Sequence, residues 1–330
     1  MKRWNLLLAA LAAQSLSASA AAAALYYTET GYADGAWRVS PVPGIATATR
    51  EALAVLPGLD PRGVAVDSVN EQLYYARGTS IERAKLDGSA ATTVLTASAG
   101  IGDIEVDPVG GKIYFSTIFS GAGDGIYSAD LDGSAVTLVQ DATTLAGAGA
   151  LGTITTRDVF NIKVDTHAGL LYWTADDGGV AGRKGLNVSA LGGAGPSQLW
   201  VAAGRADAIS KMDIDFASGT LYYTVGSTTN EVRRSALDNS ALSTLVAGVG
   251  RPGALAIDVA GDDLYFWVGD TLYAGALDGS GLSSRTFVGS SLFAVSDMEL
   301  GPSTAVPLPS ALLLCAGGLA GLRLTARRRA

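Results

Sequence analysis

The sequence predicts an all-β ring: a six-bladed β-propeller with four antiparallel strands per blade, closed where N-terminal strands join the C-terminal strand in one blade. Three observations predict it. A hairpin signature recurs five times, a second turn signature follows it within the same unit, and the two ends of the body carry complementary half-units.

The hairpin signature is an apolar-x-apolar-Asp strand end, a turn of five residues, then an aliphatic residue followed by mostly aromatic positions. Val64–Asp67 leads to Leu73-Tyr74-Tyr75, and Ile104–Asp107 leads to Ile113-Tyr114-Phe115. Ile162–Asp165 leads to Leu171-Tyr172-Trp173-Thr174, Met212–Asp215 to Leu221-Tyr222-Tyr223-Thr224, and Leu255–Asp258 to Leu264-Tyr265-Phe266. Alternation of apolar residues with aromatic and β-branched content gives two strands around a tight turn. Asp67, Asp107, Asp165, Asp215 and Asp258 suit that turn, because a carboxylate there accepts hydrogen bonds from backbone N–H groups just ahead.

A third strand ends in Leu86-Asp87-Gly88-Ser89, Leu131-Asp132-Gly133-Ser134, Leu237-Asp238-Asn239-Ser240 or Leu277-Asp278-Gly279-Ser280, and a fourth strand follows, as in Thr92–Leu95. Four short strands per unit make a propeller blade. The spacing of the anchor aspartates places the insertions mainly between Asp107 and Asp215, and loops absorb such length cheaply. The sixth blade is split. Met298-Glu299-Leu300 reads as a first strand with no hairpin after it, and Leu25-Tyr26-Tyr27-Thr28 as a second strand with nothing before it. Trp37–Ser40 and Ala52–Leu56 would supply its remaining strands. Joining the ends removes the open sheet edges that invite aggregation.

These units resemble the low-density lipoprotein receptor class B, or YWTD, repeat. Ile81-Glu82-Arg83-Ala84-Lys85-Leu86-Asp87-Gly88-Ser89 is a close match, and Tyr172-Trp173-Thr174 carries three letters of the name. The resemblance implies a six-bladed propeller over 25–302 and an interaction module rather than an enzyme. At the fourth YWTD position stand Arg77, Thr117, Ala175, Val225 and Val268, with only Glu29 acidic. In the family that Asp ties neighbouring blades together, so its loss implies a ring held more by apolar packing.

The termini read as addresses. Lys2 and Arg3 precede an apolar run from Leu6 to Ala13 and small residues to Ala24, the layout of a secretory signal peptide over 1–24. At the other end, over 303–330, Val306-Pro307-Leu308-Pro309 precedes a short apolar stretch and Arg327-Arg328-Arg329. That order resembles a PEP-CTERM sorting signal, with Leu308 where the family has Glu. It implies recognition by an exosortase-type enzyme, transient anchoring in the inner membrane through the tail, and delivery to the surface or exterior of a Gram-negative bacterium. The terminal Arg cluster also obeys the positive-inside rule.

Six of the 23 basic residues lie in these terminal segments, which leaves 17 against 31 acidic residues and a body of net charge −14. Such a body is repelled by phosphate backbones and anionic lipid, so nucleic acid is not an expected partner. Cys315 lies in the tail, so the body forms no disulfide of its own, and it is expected to act as a monomer.

Catalytic patterns are sparse. His167 falls in a turn, a G-x-S-x-G elbow is absent, and one His with one Cys excludes a His/Cys zinc set. The first strands, which lie nearest the channel of a propeller, bring together Asp103, Glu105, Asn161, Asp213, Asp297 and Glu299, opposed by Lys163 and Lys211. Such a ring suggests a hard cation such as Ca²⁺; paired or solvated channel residues are the alternative. The expected function is thus a non-catalytic exported module that needs no cofactor and binds a protein or polysaccharide. The rivals are a calcium-dependent, lactonase-like hydrolase and a structural matrix protein.

Overall fold

The computed structural model describes residues 23–30, 34–42, 45–55, 60–118, 124–141, 159–175, 185–200, 202, 208–226, 229–287 and 294–302. The expected signal segment up to residue 22, the Val306–Pro309 motif and Arg327–Arg329 lie outside them.

The described residues form six four-stranded antiparallel sheets. Numbering blades from the split one, the first strands are Ala294–Pro302, Val64–Asp67, Gly100–Asp107, Val159–Asp165, Lys211–Asp215 and Pro252–Asp258. Each pairs with the following aromatic strand: Ala23–Thr30, Gln72–Arg77, Lys112–Ile118, Leu170–Ala175, Thr220–Val225 and Asp263–Val268. The ring closes in blade 1, where Leu25 lies opposite Leu300, Tyr26 opposite Glu299 and Tyr27 opposite Met298. That strand begins at Ala23, and Ala24 is fully buried, so the folded body starts two residues before Leu25.

The aromatic pair explains how blades stack. Successive side chains of a strand point to opposite faces of its sheet, so two adjacent aromatics serve two neighbours at once. Tyr26 packs with Tyr75 between blades 1 and 2, Tyr74 with Phe115 between 2 and 3, and Tyr114 with Trp173 between 3 and 4. Tyr172 joins Tyr223, Tyr222 joins Phe266, and Tyr265 joins Tyr27 to complete the circle. The six apolar cores are therefore the six interfaces between blades. A fully buried aromatic contributes about 1.5–3 kcal/mol at each.

The five anchor aspartates cap their turns. The Asp67 carboxylate accepts from the N–H groups of Val69 and Asn70, and Asp165 accepts from His167 and Ala168. Asp215 takes Ala217 and Ser218, while Asp107 takes Gly110 and Asp258 takes Gly261.

The second turn does more than reverse the chain. Gly279 has φ +85°, and a Cβ there would lie 2.7 Å from the Leu245 carbonyl oxygen of the preceding blade; at Gly88, φ +79°, it would lie 2.6 Å from the Leu53 oxygen. Only glycine allows both the left-handed backbone and this approach.

Candidate functional site

Along the channel the first strands supply two tiers of polar side chains, four and two positions before the anchor. The outer tier is Asp103, Asn161, Lys211 and Asp297; the inner is Glu105, Lys163, Asp213 and Glu299. Blades 2 and 6 contribute none. Ala65, Ala254 and Ala256 are buried there, and Gly63 fits because a Cβ would meet the Ile104 nitrogen at 2.8 Å.

Each outer-tier carboxylate reaches the next blade. Asp297 accepts from the Val64 N–H at 2.9 Å, and Asp103 accepts from its neighbour Ile104 at 2.9 Å and from Ile162 at 2.7 Å. Asp213, one tier further in, repeats the device with the N–H groups of Ile214 at 2.9 Å and Ile257 at 3.0 Å. Asn161 donates to the Thr174 hydroxyl at 2.9 Å and to the Ser210 carbonyl at 3.1 Å, again one blade on. The third YWTD position adds hydroxyl ties. Ser116 donates to the Val159 carbonyl at 2.7 Å and Thr224 to the Gly253 carbonyl at 3.2 Å.

These bonds correct the expectation of a ring held chiefly by apolar packing. Channel carboxylates of the first strands tie neighbouring blades, alongside the six apolar interfaces. Glu29, the acidic exception, is bonded by Arg50 within its own blade.

The inner tier centres on Lys163, which is buried. Its ammonium lies 2.6 Å from Glu105, 3.2 Å from Glu299 and 3.8 Å from Asp213. Blades 4 and 1 face each other across the ring, so the Lys163–Glu299 contact spans the channel. Lys211 lies 3.9 Å from Asp297. Among the described residues, no three His, Cys, Asp or Glu side chains are grouped so as to hold a metal ion. The six proposed ligands are brought to one channel, but the five carboxylates face backbone N–H groups or lysine ammonium groups, and Asn161 donates its amide to a hydroxyl and a carbonyl.

One cation cannot balance three half-buried carboxylates. Burial first, then repulsion from Glu299 and Asp213, outweighs Lys163 and pushes the Glu105 carboxyl up to about 8. Glu299 rises to about 6, with burial again the main cause. Asp103 lies well above the usual carboxylate range, through burial and then the nearby Asp297, to which it is hydrogen-bonded. Burial works against the Lys163 charge, but Glu105, Glu299 and Asp213 more than reverse it and hold the ammonium well above its ordinary pKa.

Sequence reasoning found the polar channel residues and missed three things. It did not find the apolar sector of blades 2 and 6, the hydroxyl ties, or the arginines that bridge rim turns. Arg38 donates to the Leu86 carbonyl at 3.2 Å and Arg83 to the Leu131 carbonyl at 3.3 Å, each in the next blade. Arg38 and Arg83 stand opposite the first YWTD tyrosines Tyr26 and Tyr74, and that pairing was a usable signal.

The geometry has counterparts among known proteins. A solved nidogen/laminin complex contains a chain that superimposes with a TM-score of 0.68 at 19% identity, covering 86% of this chain and 100% of that one. This chain is a six-bladed propeller by fold. TolB from Acinetobacter baumannii superimposes at 0.60 with 10% identity, over 84% of this chain and 66% of that one. The proto-oncogene tyrosine-protein kinase ROS of Rattus norvegicus is 25% identical over 203 residues, 61% of this chain, which spans only 8% of that protein's length. No family model matches.

Proposed function

We propose that this propeller, of the YWTD type, is an exported, non-catalytic interaction module that binds a protein or polysaccharide at the cell surface or in a secreted matrix. The observation that carries the reading is the commitment of the channel. Asp103, Asp213 and Asp297 are spent on backbone N–H groups, and Glu105 and Glu299 on Lys163. A general base needs a carboxylate or imidazole free to reach a substrate proton. In the proposal these side chains hold the ring, and the loops and turns around it meet the ligand. The ring needs no cofactor on this reading and acts as a monomer.

Export rests on the terminal motifs. The expected leader is cut between Ala20 and Ala24, and a cut before Ala23 would keep the pairing of Ala23 with Pro302 and of Ala24 with Gly301. At the other end an exosortase-type enzyme would act at Val306–Pro309, after transient anchoring through the apolar stretch and Arg327–Arg329. Mass spectrometry of the protein recovered from a Gram-negative host tests both; an N-terminus beyond Leu25, or an uncut chain retained in the cytoplasm, would count against the reading.

The functional test pairs binding with turnover. The mature body is screened against cell-surface polysaccharides and envelope proteins and, in parallel, for lactone hydrolysis with and without calcium. Saturable binding without hydrolysis is expected. Calcium-dependent turnover, or a rise in melting temperature with calcium, would replace the reading with the hydrolase. Failure of every ligand would leave a structural matrix protein.

A further inference from the structure

The alternating strand directions divide the turns between two faces. Turns between first and second strands, and between third and fourth, emerge on one face of the ring; the others emerge opposite. The first strands run in a common direction, because equivalent positions are joined blade to blade: Asp297 to Val64, and Asp103 to Ile162. The Asp-capped hairpins and the Asp-Gly-Ser turns therefore share one face, called here the hairpin face.

Every large apolar side chain that is exposed among the described residues lies in or beside a turn of that face. Around the channel stand Val69, Val109, Phe216 and Val259, with exposures from 36% to 89%. Further out stand Val136, Leu138, Leu242 and Leu282, each just past an Asp-Gly-Ser-type turn. Exposed apolar residues scattered singly need no explanation, but eight on one face of a disc form a pattern of the kind that marks an interaction surface. The turn geometry is fixed by the aspartates and glycines; Phe216 also touches the Tyr172 ring of the preceding blade, at 5.8 Å between centroids.

The same turns are strongly acidic. The ten described turns of this face, with one flanking residue on each side, hold thirteen acidic residues against Lys85 and Lys112, and Lys112 is engaged by Asp130 at 2.5 Å. Asp87, Asp132, Asp238 and Asp278 are held below the ordinary carboxylate range, chiefly by bonds from the serine two residues on. Their charge therefore persists through mildly acidic conditions.

We propose that the hairpin face is a docking surface for a basic polypeptide segment that carries apolar side chains. The proposal rests on the interaction-module reading and adds a face and a partner chemistry. Charge decides the occupant. A second copy of this chain would bring acidic face against acidic face, and anionic lipid, nucleic acid or an acidic polysaccharide would be repelled. A basic segment gains steering from the aspartates, and its apolar side chains cover Val69, Val109, Phe216 and Val259.

The test uses the mature body and three 18-residue synthetic peptides: an amphipathic lysine–leucine helix, a lysine–serine peptide of equal charge, and a glutamate–leucine helix. Fluorescence anisotropy at low salt should show the lysine–leucine peptide binding at least tenfold more tightly than lysine–serine, with no binding of glutamate–leucine. The combined variant Val69→Ser, Val109→Ser, Phe216→Ser and Val259→Ser should lose at least tenfold while its melting curve stays that of the parent. Equal binding by this variant, or binding of the glutamate–leucine helix, would overturn the proposal. A second variant, Arg77→Ala with Arg251→Ala, alters the opposite face. Loss of affinity there alone would keep an interaction module and discard this face. If the parent binds none of the three peptides the face proposal also falls, and the polysaccharide and envelope-protein screen then judges the module reading by itself.

Discussion

The rim of this ring repeats, and its channel does not. Away from the channel mouth the same parts recur: an aromatic pair that divides its rings between two interfaces in all six blades, an Asp-capped hairpin in the five unsplit ones, and in four blades a turn glycine, Gly88, Gly133, Gly193 or Gly279, closed against the preceding blade's carbonyl. Along the channel the same two positions of the first strand carry aspartate, glutamate, asparagine, lysine, alanine or glycine according to the blade. Local chemistry suffices for the rim, because turn and strand decide it within about a dozen residues. The channel is settled only when blades 1 and 4 face each other, so its parts make sense together and not singly.

The largest effect should come from the part that cannot be repeated. Lys163→Met keeps the length of the side chain and removes the cation that Glu105, Asp213 and Glu299 share. Removing one member of a buried ion pair costs about 3–5 kcal/mol. Urea denaturation at pH 7.5 should show a loss of that order, with part of it restored by adding Glu105→Gln. A loss below about 1 kcal/mol, the scale of an exposed pair, would mean that water reaches this cluster freely.

Next come the rim glycines, which differ among themselves in an informative way. Gly279→Ala meets both a left-handed φ and the Leu245 carbonyl, and should cost about 1–3 kcal/mol. Gly169 also has a positive φ, +69°, but open space around its would-be Cβ. Gly169→Ala should therefore cost only the conformational part, about 1 kcal/mol, at the low end of that range. Equal losses in the two variants would show that blade contact adds nothing to the turn's own preference.

Smaller again is the contrast between two anchors. Asp67 is fully buried and takes bonds from Val69 N–H, Asn70 N–H and the Asn70 side chain, whereas Asp258 is half-buried with Gly261 N–H. Asp67→Ala strands buried donors and should lower stability by about 1–3 kcal/mol, against about 1 kcal/mol for Asp258→Ala. Chemical denaturation of both resolves the difference.

These contrasts also mark how far the sequence is legible. The blade count and the strand order follow from signals that lie close together in the chain, and the closure of Leu25–Thr28 on Met298–Leu300 follows from two local half-units left over at its ends. The list of channel residues followed too, because alignment on the anchor aspartates assigns each a tier. Their roles did not. That Asp103 would bond Ile162, 59 positions away, depends on the lateral fit of two blades, which no local periodicity encodes. Gly63 is a clearer case: it reads as a loop residue before a strand, yet it keeps blade 2 from pushing into the Asp103 backbone. Lys163 and Lys211 were visible as opposing charges, and only geometry makes Lys163 the centre of the inner tier.

The finest test of the channel is its titration. A carboxyl whose pKa is higher in the folded chain than in the unfolded one holds its proton more tightly when folded. Its contribution to stability is complete below the unfolded value, near 4.5, and is lost as pH rises through the folded value. For Glu105 that window runs from about 4.5 to about 8, and for Glu299 from about 4.5 to about 6. The turn aspartates Asp87, Asp132, Asp238 and Asp278 are shifted the other way and lose their contribution only as pH falls through the acid range, so they do not confuse this window. The melting temperature of the parent should fall by a few degrees between pH 5 and pH 8.5, and Glu105→Gln, neutral at every pH, should remove part of that slope, the rest belonging to the buried Asp103 carboxyl, which is raised in the same direction. A parent curve that stays level from pH 5 to pH 8.5, or that rises, would mean that Lys163 balances all three of its carboxylates at once and that the inner tier is fully ionised in the folded ring.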